Sequence, residues 1–121
     1  MAWGDFDNDG DLDMAVGGEV SGTQAVLRVY RNENNNFVLF QDFKGLFGGG
    51  IAWGDYNNDG LLDFAANGSE ASNGDNKAIR VYRNDSSTFT LAMELADANG
   101  PSADGDVAWG DFDNDGDLDL A

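Results

Sequence analysis

Asp5-Phe6-Asp7-Asn8-Asp9-Gly10-Asp11-Leu12-Asp13 returns as Asp55-Tyr56-Asn57-Asn58-Asp59-Gly60-Leu61-Leu62-Asp63 and as Asp111-Phe112-Asp113-Asn114-Asp115-Gly116-Asp117-Leu118-Asp119, each copy preceded by Ala-Trp-Gly. Carboxylate or amide side chains stand at positions 1, 3, 5 and 9 of every copy, with glycine at position 6. This is the make-up of an oxygen-rich loop folded around a hard cation. Calcium suits it, because it accepts about six to eight oxygen ligands in irregular geometry and is often wrapped by a loop whose glycine permits a sharp turn. The helix-loop-helix calcium motif needs an acid at position 12, which here is Val16 or Ala66 and in the third copy lies past Ala121. The flanks are short and extended: Ile51-Ala52-Trp53 or Val107-Ala108-Trp109 enters, and Met14-Ala15-Val16 or Phe64-Ala65-Ala66 leaves. Each loop is therefore expected to join two antiparallel strands.

The pattern W-G-D-[FY]-x-N-D-G-x-L-D, present three times, resembles the FG-GAP repeat of integrin-type β-propellers, whose D-x-D-x-D-G-x-x-D loops bind calcium. The resemblance implies one Ca²⁺ per loop, up to three in the chain, each with a structural role. Carried over residue by residue, it implies side-chain ligands Asp5, Asp7, Asp9 and Asp13 in loop one, with the backbone carbonyl of Asp11 as a fifth. In loop two the set is Asp55, Asn57, Asp59 and Asp63 with the carbonyl of Leu61; in loop three it is Asp111, Asp113, Asp115 and Asp119 with that of Asp117. Leu61 carries no side-chain oxygen, which agrees with a backbone ligand at position 7 and makes the Asp11 and Asp117 side chains spectators.

The loops also account for most of the charge. The net charge is −17, and thirteen of the twenty-three acids lie in the three loops, leaving ten acids against six bases elsewhere. Acids at fixed spacing fit a cation site better than a solvated acidic face, and such a surface is a poor partner for nucleic acid. An apolar fraction of 41% with 12% aromatic residues argues against disorder, while seventeen glycines against one proline point to many turns between short strands. There is no apolar run long enough to insert in a membrane. The absence of cysteine removes disulfides and thiolate metal sites.

A second repeat fixes the period. Arg28-Val29-Tyr30-Arg31-Asn32 reappears as Arg80-Val81-Tyr82-Arg83-Asn84, and Phe37 or Phe89 follows at the same interval. A period of about fifty residues is the range of propellers and other arrays. Each unit reads as four strands: one ending at Ala-Trp-Gly, one after the loop, one holding Arg-Val-Tyr-Arg, and one at Phe37-Val38-Leu39-Phe40 or Phe89-Thr90-Leu91-Ala92. Turns are expected at Gly17-Gly18 to Gly22, Asn34 to Asn36, Gly48 to Gly50, Asn67 to Asn76 and Asp97 to Asp106. The expected fold is all-β, a single propeller fragment over 1–121, with repeats at about 1–50 and 51–106 and a partial repeat at 107–121. That makes about two and a half blades of four antiparallel strands. A closed propeller takes at least about four, so closure is expected only by assembly, as a homo-oligomer, or within a longer chain.

Two functions fit this organisation. The first is a non-catalytic, calcium-stabilised module for protein interaction or adhesion, secreted or on the cell surface where calcium is plentiful. The second is a propeller lectin with glycan sites between blades. An enzyme fits less well, since there is no histidine or cysteine for a nucleophile-base pair and the closely spaced carboxylates are committed to metal. Trp3, Trp53 and Trp109, at one place beside each loop, are expected to pack blade against blade rather than to stack on sugars. The arginines are expected to pair with acids or stack on rings. Asn67-Gly68-Ser69 and Asn84-Asp85-Ser86 match the N-glycosylation pattern, a short match that arises often by chance.

Overall fold

In a computed structural model that describes residues 1–72, 76–97 and 105–121, ten strands form three antiparallel sheets, and no helix occurs among the described residues. Blade one is β1 (Ala2–Gly4), β2 (Asp13–Val20), β3 (Gln24–Glu33) and β4 (Asn36–Phe43), hydrogen-bonded in that order. Blade two repeats it with β5 (Ile51–Gly54), β6 (Asp63–Ser69), β7 (Lys77–Asn84) and β8 (Phe89–Asp97). A third begins with the pair β9 (Trp109–Gly110) and β10 (Asp119–Leu120). The first strand of each sheet lies beside the first strand of the next, β1 by β5 and β5 by β9, so consecutive sheets stand side by side like propeller blades without closing a ring.

The loops bridge antiparallel pairs, as their extended flanks require: Gly4 faces Asp13, Gly54 faces Asp63 and Gly110 faces Asp119. Three stretches depart from the expected strands and turns. Gly17 and Gly18 lie inside β2 rather than in a turn, and a Cβ on Gly17 would stand 3.3 Å from Ile51 Cδ1, so glycine here admits the side chain of the next blade. Asn67, Gly68 and Ser69 belong to β6, paired through Ser69 with Phe47 of the connection between blades. The fourth strands run on to Phe43 and Asp97, past register shifts at Val29/Tyr30 and Val81/Tyr82 that let them continue after the first apolar stretch. The turn expected from Asp97 to Asp106 lies largely outside the described residues.

The core sits between blades one and two. Phe6, from position 2 of loop one, is buried and packs its ring 4.7 Å from Phe40, 5.3 Å from Phe89 and, nearly parallel, 6.2 Å from Trp53. Phe43, Phe64 and Tyr82 extend this cluster along the interface. The contact repeats one blade on, where Tyr56 stacks on Trp109 at 5.9 Å and 7°. Each of these tryptophans also donates its indole N–H to the first strand of the preceding blade, Trp53 to the Ala2 carbonyl at 3.3 Å and Trp109 to the Ala52 carbonyl at 3.1 Å. Blade-to-blade packing is thus the role of both.

Arginines follow the sheet registers. Arg28 meets Asp42 across β3–β4 at 3.3 Å, and Arg31 and Arg83 pair with Glu33 and Asp85. Arg80, in the equivalent place to Arg28, is 1% exposed; it donates to Glu70 and to the carbonyl of Lys44 in the connection between blades at 3.1 Å, with Glu94 at 3.6 Å. A buried guanidinium needs such partners, because an unpaired one carries a large desolvation cost. Asn67 and Asn84 are both buried, so neither sequon offers an accessible amide.

Candidate metal centre

All three loops have one backbone conformation, held by one set of hydrogen bonds. The asparagine at position 4 is left-handed in each (φ 60°, 57° and 61° at Asn8, Asn58 and Asn114), and the glycine at position 6 takes φ 94°, 86° and 96°. Asparagine is among the few residues with side chains that enter this region readily, and glycine enters it without strain. In loop one the carboxylate of Asp5 accepts the N–H groups of Asp9 (3.1 Å) and Gly10 (3.0 Å), while Asp7 also accepts from Asp9 and Asp9 accepts from Asp11 (2.9 Å). Asp13 reaches back to the Phe6 N–H at 3.0 Å. The same five bonds recur in loop two, where Asn57 supplies the third-position oxygen, and in loop three.

These bonds turn the side-chain oxygens inward. In loop one the oxygens of Asp5, Asp7 and Asp13 lie within 4.8 Å of one another, and in loop three those of Asp111, Asp113 and Asp115 do so. Both acidic clusters could hold a metal ion, and an all-oxygen donor set suits a hard cation. Loop two presents Asp55, Asp59 and Asp63 with the neutral Asn57 oxygen in the same backbone frame. Each carboxylate oxygen that accepts an N–H keeps a further lone pair for a cation.

Position 9 ties the loop to the sheet. Asp13 is fully buried; one oxygen accepts the Phe6 N–H and the other the Asn32 N–H of β3 at 2.8 Å. Asp63 does the same with Tyr56 and with Asn84 of β7 at 2.7 Å. Burial pushes both carboxyls above the usual carboxylate range, although the N–H donors pull the other way. Burial, and next the charge of Asp9, raises Asp7 too. A cation in the loop would offset these penalties on the charged forms.

Two sets of residues that the sequence reading did not assign to the site belong to its frame. Asn32 and Asn84, the last residues of the repeated pentapeptide, brace the loops from the sheet: their amides donate to the Leu12 and Leu62 carbonyls, both at 3.2 Å. Asn84 also donates to the carbonyl of Phe6 in the neighbouring blade at 2.8 Å. The position-4 asparagines reach sideways, Asn8 to the Gly60 carbonyl at 3.1 Å and Asn58 to the Asp117 carboxylate at 2.7 Å. Asp117 therefore has a contact its spectator assignment left out. Their identity in every copy was the available signal.

Fold and site together define a repeat-built, bladed all-β protein with an acid-lined turn at the head of each blade. The model of the FG-GAP-like repeat family matches residues 5–66 and 68–121, and the chain belongs to that family. No curated protein and no solved structure matches it significantly.

Proposed function

We propose that the chain is a calcium-stabilised β-propeller module for protein interaction or adhesion, non-catalytic and working outside the cell. The observation that carries this reading is the threefold recurrence of one loop conformation and its hydrogen bonds, together with the gathering of three carboxylate oxygens within 4.8 Å of one another in loops one and three. Calcium would be held by the side chains of positions 1, 3, 5 and 9 and the carbonyl of position 7, and when bound it supplies positive charge that lets closely packed carboxylates stay ionised. The protein's own residues do the rest: Phe6 and Tyr56 anchor their loops in the blade interfaces, and Asp13 and Asp63 fasten them to the sheets. The surroundings of the paired carboxylates are consistent with a structural ion, since each position-9 acid is taken up by two backbone donors in loops one and two and neither is placed as a general base. Family membership and the appetite of extracellular modules for millimolar calcium support the location. Among the described residues no helix is long and apolar enough to cross a membrane.

The proposed partner for ring completion is a second copy of the chain. Trp3 is 49% exposed and lacks the Phe6-type neighbour that Trp53 has, while Phe112 is 83% exposed with no following tryptophan on it. A Cβ on Gly4 or Gly54 would run into the next blade's indole, but one on Gly110 would meet nothing. One face thus offers an exposed tryptophan, packed on Phe37 of its own blade at 5.7 Å, and the other an exposed seat for one, the two halves of the contact already made twice within the chain.

Melting in excess chelator against about 10 mM calcium tests the main reading. With dissociation constants of about 10⁻⁴ to 10⁻³ M, each filled site stabilises the native state by about 1.4–2.7 kcal/mol. A melting curve indifferent to calcium sinks the proposal.

A further inference from the structure

We propose that Asn8 and Asn58 are positioning residues that couple neighbouring cation loops, so that filling one loop raises the affinity of the next. This rests on the calcium reading above and concerns how its sites communicate. Asn8 donates its side-chain amide to the Gly60 carbonyl, and Asn58 donates to the Asp117 carboxylate. Both ends of each bond lie within the ligand sequence. Asn8 stands between Asp7 and Asp9, and Asn58 between Asn57 and Asp59; Gly60 stands between Asp59 and Leu61, and Asp117 is itself position 7. A cation that fixes positions 3 and 5 of one loop therefore fixes the donor, and one that fixes positions 5 and 7 of the next fixes the acceptor. The choice of acceptor follows from the sequence: loop three has a carboxylate at position 7, whereas loop two has Leu61 and offers the adjacent carbonyl instead. Loops one and two carry a second link in the opposite direction, from Asn84 to the carbonyl of Phe6, which lies between Asp5 and Asp7.

Coupling of this kind is reciprocal, so occupancy of loop three must favour loop two as much as the reverse. Two bound dications repel each other and act against it, but salt screens that repulsion. One net hydrogen bond corresponds to about a two- to tenfold change in affinity.

The test compares the full chain with Asn58→Gly, Asn8→Gly and the double variant in calcium titrations by calorimetry at about 0.15 M salt, close to the ionic strength at which screening falls to about 8 Å. Glycine is chosen because it keeps the left-handed backbone at positions 8 and 58 without strain. Asn114→Gly is the control: Asn114 has the same backbone, but its amide meets no other loop among the described residues. The expected result is a binding curve steeper than independent sites for the parent and for Asn114→Gly. In the double variant the curve flattens, and Asn58→Gly alone weakens the third loop about two- to tenfold. Cooperative melting in chelator, expected of every variant, shows that the variants still fold. Equal weakening by Asn58→Gly and Asn114→Gly, or a parent curve no steeper than the double variant's, overturns the coupling while leaving calcium binding intact. A parent that takes up no calcium at all overturns the calcium reading and the coupling with it.

Discussion

Asn32 and Asn84 occupy the same place in successive blades, yet replacing each by alanine should cost different amounts. Asn84 is 2% exposed, and its amide donates to the Phe6 carbonyl at 2.8 Å and the Leu62 carbonyl at 3.2 Å while its oxygen accepts the Ser86 N–H at 2.9 Å. Asn84→Ala strips three backbone groups of a partner, and the Phe6 carbonyl lies too deep between the blades for water to replace it. A buried group left unsatisfied costs about 1–3 kcal/mol, and the more exposed losses less, so the total comes to about 3 kcal/mol. Asn32 makes only local bonds, to the Leu12 carbonyl and from the Asn35 N–H, at a half-buried site open to solvent. Asn32→Ala should cost about 1 kcal/mol. Both variants keep the backbone N–H that Asp13 or Asp63 accepts, so the comparison isolates the side chain. For a chain of this length about 1 kcal/mol corresponds to roughly 3–6 °C. Thermal melting followed by near-ultraviolet dichroism, at one calcium concentration for both, should place Asn84→Ala roughly 6–12 °C below Asn32→Ala. Equal losses would show that the bond between blades adds nothing to the bond within one.

Further outcomes follow from individual contacts. Asn57→Asp gives loop two a fourth carboxylate and should raise its calcium affinity at least roughly threefold by calorimetry; no gain at any site refutes the dependence on ligand charge. Glu70 is held below the usual glutamate range, first by its hydrogen bond from Lys44 and also by Arg80, so it stabilises the fold above its ordinary value of 4.5 and loses that contribution as pH falls through the lowered one. Glu70→Gln should therefore be about 2 kcal/mol less stable at neutral pH, with the gap closing in acid denaturation series below that range; a gap independent of pH counts against the ion pair. Gly54→Ala places a Cβ 2.6 Å from Trp109 Cδ1 and should cost about 1–3 kcal/mol. Gly110→Ala meets nothing within the chain and should leave its melting unchanged, while light scattering should show weakened self-association if a second copy seats its tryptophan there; unaltered association removes that seat.

Much of the fold was legible because the chain states it more than once. Three copies of the loop and two of Arg-Val-Tyr-Arg-Asn fix which residues are equivalent, and equivalence converts weak strand signals into a four-strand unit. The errors fall where one residue type serves two purposes. Gly17 and Gly68 read as turn residues but lie in strands, where Leu46 leaves no room for a side chain at Gly68 and Ile51 leaves little at Gly17. The fourth strands continue past a register shift that no local pattern announces. At the site, the acids were legible from spacing, whereas the bonds from Asn84 to Phe6 and from Asn58 to Asp117 join residues 78 and 59 positions apart. Only the juxtaposition of blades creates them.

That juxtaposition also explains why the aromatic at position 2 accompanies the acids. A loop fastened by its carboxylates alone would depend wholly on the ion, because the acids repel once the ion leaves. Phe6 places its ring in the core between blades while its N–H is accepted by Asp13, so the apolar interface and the position-9 acid hold the same residue from two sides. Tyr56 repeats the arrangement with Trp109 and Asp63. Phe112 makes the bond to Asp119 at 2.9 Å but stands 83% exposed, without an indole against it. The three loops therefore differ in how much of their shape comes from packing and how much is left to the proposed ion. Loops one and two have both supports. Loop three has its own hydrogen bonds, the bond from Asn58 and, on the calcium reading proposed above, the ion, so it should be the first to lose its form when calcium is withdrawn.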